Sequence, residues 1–402
     1  LPTDSLNAPI LAVKTPEEAR HLVRRQLPAK PDFVKIWYIV MPGKKAKDTL
    51  PIVQAAIDES HVHGLKVAVH AMELTTARLA VEAGADYLVH MVEDLTVDEE
   101  FVALLKQRKT VVCPTLTVFS GQVETLRAEP YLSRDDFAKA DPFVVGSLFD
   151  LRHLPDQKLA TQMRQMGQYV QKRVARSDSV SKTNLRALFA AGVPVATGTD
   201  AGNPGILHAT SYHRELSAMQ AAGLSNADIL RASTLNGAKA LGKEAEVGSI
   251  AAGKLANLLV LNANPLDSLA HLRRIDVVIN RGVLVRPDTL LRDTPETLAQ
   301  RQLNAYNARD IEAFLEPYAD DVEIYEMPSQ KLLAKGKEQM RKMYAGMFER
   351  VKNLHCELRN RIVQGNVVVD HERVTGFGPK PVEAIATYFI EKGKIAKVYF
   401  PR

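Results

Sequence analysis

Residues 66–91, KVAVHAMELTTARLAVEAGADYLVHM, decide the fold class. An apolar run closes on His70, a helical segment follows, and a second strand-like run closes on His90. The first run alternates and is rich in β-formers, whereas LTTARLAVEAGA carries apolar residues at helical spacing. Strand, helix and strand in close succession make a parallel βαβ unit, because a parallel partner needs a crossover connection.

The same alternation continues on both sides. TPEEARHLVRRQL opens with Thr15 and Glu18 in a capping box and has an apolar face at Ala19, Leu22, Val23 and Leu27. DFVKIWYIV is a strand candidate and LPIVQAAIDESHVHG a helix stopped by Gly64. Beyond His90, VDEEFVALLKQRK is helical, TVVCPTLTVF reads as a fourth strand, and GVPVATGTDAG closes the series after a long polar insertion. Five strands alternating with helices predict a parallel α/β sheet or (β/α) barrel. Short strands with Gly and Asn turns over 247–285 predict a small β-unit. A proline and charge cluster at 286–296, RPDTLLRDTPE, marks a linker. After it the pattern restarts as helix, strand, helix and three strands, with turns at Gly365-Asn366 and Lys392-Gly393.

The bulk numbers suit two globular domains. The 402 residues are 46% hydrophobic and 25% charged, with a net charge of +5, and carry no dense basic block of the kind that binds nucleic acid. Cys113 and Cys356 form neither a disulfide framework nor a zinc-knuckle spacing. No apolar run is long enough to span a bilayer. The chain begins at Leu1 in a polar stretch, LPTDSLNAPI, so a processed or truncated form is expected and the compartment is left open.

Four strand ends carry ligand-type chemistry, and in a barrel the C-terminal strand ends hold the functional groups. Lys35 lies among Phe33, Val34, Ile36 and Trp37, where an ammonium is costly to bury. Either its stem covers apolar surface while the head reaches water, or its neutral amine reacts with CO2 to give a metal-bridging carbamate. His70 and His90 read either as core histidines bonded to backbone carbonyls or as a ligand pair on successive strands. Asp200, in GTDAG, suits a metal ligand, a general base or a helix cap. The pair His61 and His63 in HVHG imitates a metal H-x-H, but it ends a helix, where residues two apart point away from each other.

The strand Lys, VAVHA, the later strand-end His and GTDAG resemble the amidohydrolase superfamily, especially its imidazolonepropionase-like and Xaa-Pro dipeptidase-like branch. HRELSAMQAAGLSNADILRAST, NGAKALG, VGSIAAGKLANLLVLNANPL and VVINRGVLV match as well, so the resemblance covers roughly residues 10–286. It implies a metal-dependent-hydrolase (β/α)8-type barrel with a small β-sandwich segment, spanning 1–288, and one or two divalent ions, usually zinc. Lys35 would then be the carbamylated bridge, His70 and His90 metal ligands, and Asp200 both ligand and proton shuttle. His208 and Tyr38 fall among substrate-contacting candidates. The family's first-strand H-x-H belongs upstream of Lys35, and only about 34 residues precede it. The barrel is therefore expected to be incomplete at its N-terminus. The Gly-Lys-x-Ala-Asp of the closing segment reads Gly253-Lys254-Leu255-Ala256-Asn257 here.

Roughly residues 297–402, within a second domain expected over 289–402, resemble the SnoaL-like group of the nuclear-transport-factor-2-like superfamily. The matching stretches are NARDIEAFLEPYADDVEIYEMP, GKEQMRKMYAGMF, LRNRIVQGNVVVDHERVTG and VEAIATYFIEKGKIAKVYF. That resemblance implies an α+β cone with an apolar pocket, in which Asp370 and His371 are candidates, and homo-oligomerisation through this domain. The expected function is hydrolysis of amide or cyclic-amide C–N bonds in a small-molecule substrate by metal-activated hydroxide. The alternatives are a non-catalytic remnant and an isomerase-type activity in the cone.

Overall fold

The computed structural model describes residues 10–40, 43–290 and 292–401; most of the polar N-terminal stretch and Leu291 of the linker lie outside them. The chain divides into two compact units. One comprises the stretch ending at Ser120, Gln171–Asp200 and Tyr212–Val285; the other comprises Gly121–Val170, Ala201–Ser211 and everything from Arg286 onward.

The first unit is built on four parallel strands in chain order: β1 (Phe33–Trp37), β2 (Lys66–His70), β3 (Tyr87–Val89) and β4 (Val111–Cys113). Lys35 pairs with Ala68, Trp37 with His70, and His70 with Val89. β2 buries Val67, Ala68 and Val69 in succession, as a strand covered on both faces should. Helices Ala46–Val62, Leu74–Glu82 and Glu99–Arg108 supply Ile57, Leu79, Phe101 and Leu105 to the core around these strands. The helix Ala46–Val62 ends where HVHG predicts, with Gly64 in the left-handed region at φ 70°. His61 binds Asp86 at 2.9 Å and His63 binds Glu59 at 3.0 Å, so the two rings turn to different partners.

Two sequence expectations are corrected here. TVVCPTLTVF is a strand only as far as Cys113. Pro114 has no N–H for the ladder, Thr115 turns the chain at φ 44°, and helix Val118–Leu126 begins soon after. The segment GVPVATGTDAG joins the parallel sheet only through the isolated bridge of Val195 to Val112, in place of a full fifth strand. Among the described residues the parallel sheet stays open, without closure into a barrel. The small β-unit is present as β5 (Leu258–Leu261), β6 (Ile275–Asn280) and β7 (Val283–Val285), all antiparallel.

The second unit contains a six-stranded sheet of β8 (Tyr318–Met327), β9 (Lys331–Lys335), β10 (His355–Gln364), β11 (Val367–Thr375), β12 (Val382–Glu391) and β13 (Lys394–Pro401). Their order is β10-β11-β12-β13-β8-β9, antiparallel except where β13 meets β8. Helices Pro295–Ala308, Ile311–Leu315 and Gly336–Arg350 bury Leu298, Leu303, Phe314, Met340 and Phe348 against Ile324, Val368, Ala386 and Val398. The predicted single helix from Thr297 to Tyr318 breaks at Arg309, whose φ of 57° ends one helix. Asp310 caps the next through the amides of Glu312 and Ala313. The three predicted final strands are four, because the Gly and Pro of GFGPKP separate β11 from β12. Asn304 and Arg301 donate to the carbonyls of Pro142 and Phe137, tying the helices of 134–150 to this sheet domain.

β11 points Val368, Asp370, Glu372 and Val374 inward. Tyr388 donates to Glu372 at 3.1 Å, Gln302 donates to Tyr388 at 2.9 Å, and Tyr318 donates to Gln302. Burial, and then the neighbouring Asp370, push the Glu372 carboxyl up to about 7. The native state therefore keeps a proton that the unfolded chain releases near pH 4.5. Stability from this group is full below that unfolded value and is lost as pH rises through about 7. Glu372→Gln is expected to flatten the fall in melting temperature between about pH 5 and pH 8, recovering on the order of 1–3 kcal/mol at the alkaline end. Thermal melts of both proteins across that range check this, and parallel curves would refute it.

Candidate metal centre

Two strand ends of the first unit meet. The His70 and His90 rings lie edge to face with centroids 4.5 Å apart, at the C-terminal ends of β2 and β3. His90 Nδ1 meets Thr115 Oγ1 at 2.6 Å, which leaves Nε2 directed away, and Asp200 Oδ2 lies 3.8 Å from that Nε2. His70 Nε2 is buried without a hydrogen-bond partner among the described residues. Such an orphaned nitrogen is the donor a cation or a substrate group would satisfy.

Burial first, and then the charge on Lys35, lower the His70 imidazole to about 4. His90 falls to about 3 through burial, His70 and Lys35 in that order. Both rings are neutral near pH 7, the form that binds metals. Lys35 is exposed by area, yet burial of its ammonium lowers its pKa, opposed by Asp200 and Cys113. The Cys113 thiol is pushed up to about 12, mainly by burial, so it stays protonated.

The backbone here is held in an uncommon conformation. His90, Thr115 and Asp200 have φ of 75°, 44° and 55°. Non-glycine residues in that region cost on the order of 1–3 kcal/mol each and gather at functional sites. What holds them is visible. His90 N–H donates to the Cys113 carbonyl, and the buried Glu215 carboxylate accepts from the amides of Leu116 and Thr117 and from the Thr117 hydroxyl. Gly198 lies against Cys113, and a Cβ there would run into Sγ. A cavity of about 20 Å³ lies beside His90, lined among others by Glu93, Thr115 and Phe119. That is room for about one water.

The remaining predicted residues are placed as follows. Tyr38 is buried and donates to the Ala46 carbonyl at 2.7 Å, while its own N–H donates to the carbonyl of His70. His208 is exposed and belongs to the second unit. Asp370 and His371 also belong to the second unit. Asp370 is fully buried in a two-pronged pair with Arg361, and His371 faces outward to Glu383 at 3.0 Å. Trp37, Thr115 and Glu215 escape the sequence reading. Trp37 stacks on His70 with centroids 5.7 Å apart, and its place two residues after Lys35 on one strand face could have announced it. Nothing local marks Thr115 or Glu215.

The donors suit a divalent cation in kind: two neutral imidazoles, one with an orphaned nitrogen, and a carboxylate nearby. Among the described residues, however, no three His, Cys, Asp or Glu side chains converge as a metal-holding group. No helix among them is long and apolar enough to cross a membrane.

Comparison with known proteins bears on both units. Residues 9–285 match the amidohydrolase family, and residues 299–398 match the SnoaL-like domain. The chain is 36% identical over 116 residues to an imidazolonepropionase from Shouchella clausii, an alignment covering 28% of this chain and 26% of that protein. It is similar to the crystal structure of a Bifidobacterium longum protein assigned as a prolidase, at 28% identity and TM-score 0.53, over 74% of this chain and 66% of that one. A Xaa-Pro dipeptidase structure with bound methionine shares the fold at 23% identity and TM-score 0.50, over 68% and 59%. The chain thus spans about a quarter of the curated relative and under two thirds of the dipeptidase.

Proposed function

Because the chain belongs to the amidohydrolase family, we propose that it hydrolyses amide or cyclic-amide C–N bonds of small molecules. The names imidazolonepropionase and Xaa-Pro dipeptidase, carried by similar proteins, point to small cyclic and dipeptide substrates. The observation that carries the reading is the facing pair of neutral imidazoles, with centroids 4.5 Å apart, beside the Asp200 carboxylate. His70 and His90 would hold a divalent cation, for which we propose zinc, with the Asp200 carboxylate beside it. Such a cation supplies Lewis acidity and lowers the pKa of bound water.

The chain's own residues do the rest. Asp200 Oδ2 takes a proton from the attacking water and delivers it to the leaving nitrogen as the C–N bond breaks. Thr115 fixes the His90 ring, and Trp37 covers His70. Lys35 would add a second anionic arm: its neutral amine forms an N–C bond to CO2 and releases a proton to solvent. Tyr38 supports the His70 backbone, and His208 is proposed as a substrate contact. Homo-oligomerisation through the sheet domain is likewise a proposal.

The test is turnover of a panel of Xaa-Pro dipeptides and five-membered cyclic amides by the purified chain, with and without added zinc. The expected result is zinc-dependent amine or ring-opened product, with the His70→Ala/His90→Ala double variant losing both turnover and bound zinc. A zinc-replete chain that turns over none of them, or a double variant retaining as much zinc as the parent, would overturn the reading.

A further inference from the structure

The second unit holds a cavity of about 610 Å³ that shares no residue with the centre at His70 and His90. Its volume falls in the usual range for small-molecule sites, about 300–1,000 Å³. Leu132, Phe137, Leu148, Phe149 and Leu354 give it apolar walls. Those walls come from two distant stretches, the helices of 134–150 and the segment leading into β10, so the cavity exists only because residues 121–170 pack against the sheet domain.

His355 lies at its floor, 4% exposed, with Nε2 buried and without a hydrogen-bond partner. Asp150 Oδ1 is 3.6 Å away, beyond hydrogen-bond reach. The His153 ring stacks on His355, with centroids 3.6 Å apart and planes 6° from parallel, which holds His355 in place and presents a flat face.

Basic side chains outnumber acidic ones in the lining. Arg152, Arg164, Arg309 and Lys352 line the cavity, and among the described residues no carboxylate lies within ion-pair distance of any of them. Its two acidic residues are already engaged: Glu129 pairs with Arg127 at 2.6 Å, and Asp310 caps a helix. Arg152 donates to the Ala128 carbonyl and Arg164 to the Thr161 hydroxyl, so these cations have hydrogen bonds but no paired carboxylate. Such cations around apolar walls, with a buried nitrogen seeking a hydrogen bond, are complementary to an anion on a flat apolar body.

We propose that this cavity binds a small aromatic carboxylate, with the ring system against Phe137, Phe149 and the histidine stack and the carboxylate held by Arg164, Lys352 and His355 Nε2. The site is independent of the hydrolytic reading. Isothermal titration of the full chain with 1-naphthoate, and with the uncharged 1-naphthamide as control, tests it. Saturable binding of one naphthoate per chain is expected, with the amide weaker by about tenfold or more, the usual weight of a charge-assisted contact. The Arg164→Gln/Lys352→Gln variant, altered at the rim and expected to melt like the parent, should weaken naphthoate by about tenfold and leave the amide unchanged. Equal affinity for acid and amide, undiminished naphthoate binding by the variant, or no saturable binding at millimolar ligand would each overturn the proposal.

Discussion

Asp200→Asn is expected to lower kcat for C–N hydrolysis by about 10²–10⁴-fold, the usual weight of a positioned proton-transfer group. Asparagine keeps the shape and one acceptor oxygen but cannot take the proton from water. The backbone should tolerate the change, because Asp200 has φ 55° and asparagine is among the few residues that adopt that region readily. Its side chain is also 42% exposed, so no buried charge is left unpaired. Steady-state kinetics alongside a thermal melt checks this. Loss of kcat at an unchanged melting temperature supports proton transfer, whereas full activity in the variant would remove Asp200 from the chemistry.

The second large effect concerns stability. Arg361 and Asp370 are cross-strand partners on β10 and β11, joined by two bonds of 2.7 Å, with side chains 6% and 0% exposed. Removing one member leaves a buried charge uncompensated, so Arg361→Ala is expected to cost about 3–5 kcal/mol. Replacing both by apolar residues, Arg361→Met with Asp370→Leu, should restore most of that loss, because the desolvation cost of both charges disappears. Denaturant unfolding of the full chain, followed through the transition of the sheet domain, separates the two outcomes. A single variant within about 1 kcal/mol of the parent would show that water reaches the pair.

Much of the architecture was legible because it follows local rules. Periodicity alone places the βαβ series, the helix that ends HVHG and the restart after 286–296. The strand-end positions of His70 and His90 follow from the same pattern, whereas Lys35, expected at a strand end, falls in the middle of β1. The errors occur where a single residue overrides a propensity. Pro114 with Thr115 stops a run of β-formers, Arg309 breaks a helix between good helix formers, and Gly and Pro divide the last strands. In each, backbone geometry at one position outweighs a pattern averaged over ten.

Sequence by itself determined the parallel βαβ order and which side chains could do metal and proton chemistry. Composition and spacing are local properties, and alternation or helical periodicity translates directly into which face is buried. Only the tertiary structure decided which of those side chains meet. Thr115 orients His90 from 25 residues away and Glu215 secures the 116–117 turn from 98–99 away, contacts that no spacing rule encodes. Residues 121–170 likewise share a core with the chain beyond 286, and that packing alone creates the cavity above His355. The physical reason is that secondary structure is written in neighbouring residues, whereas a site is written in the burial that brings distant ones together.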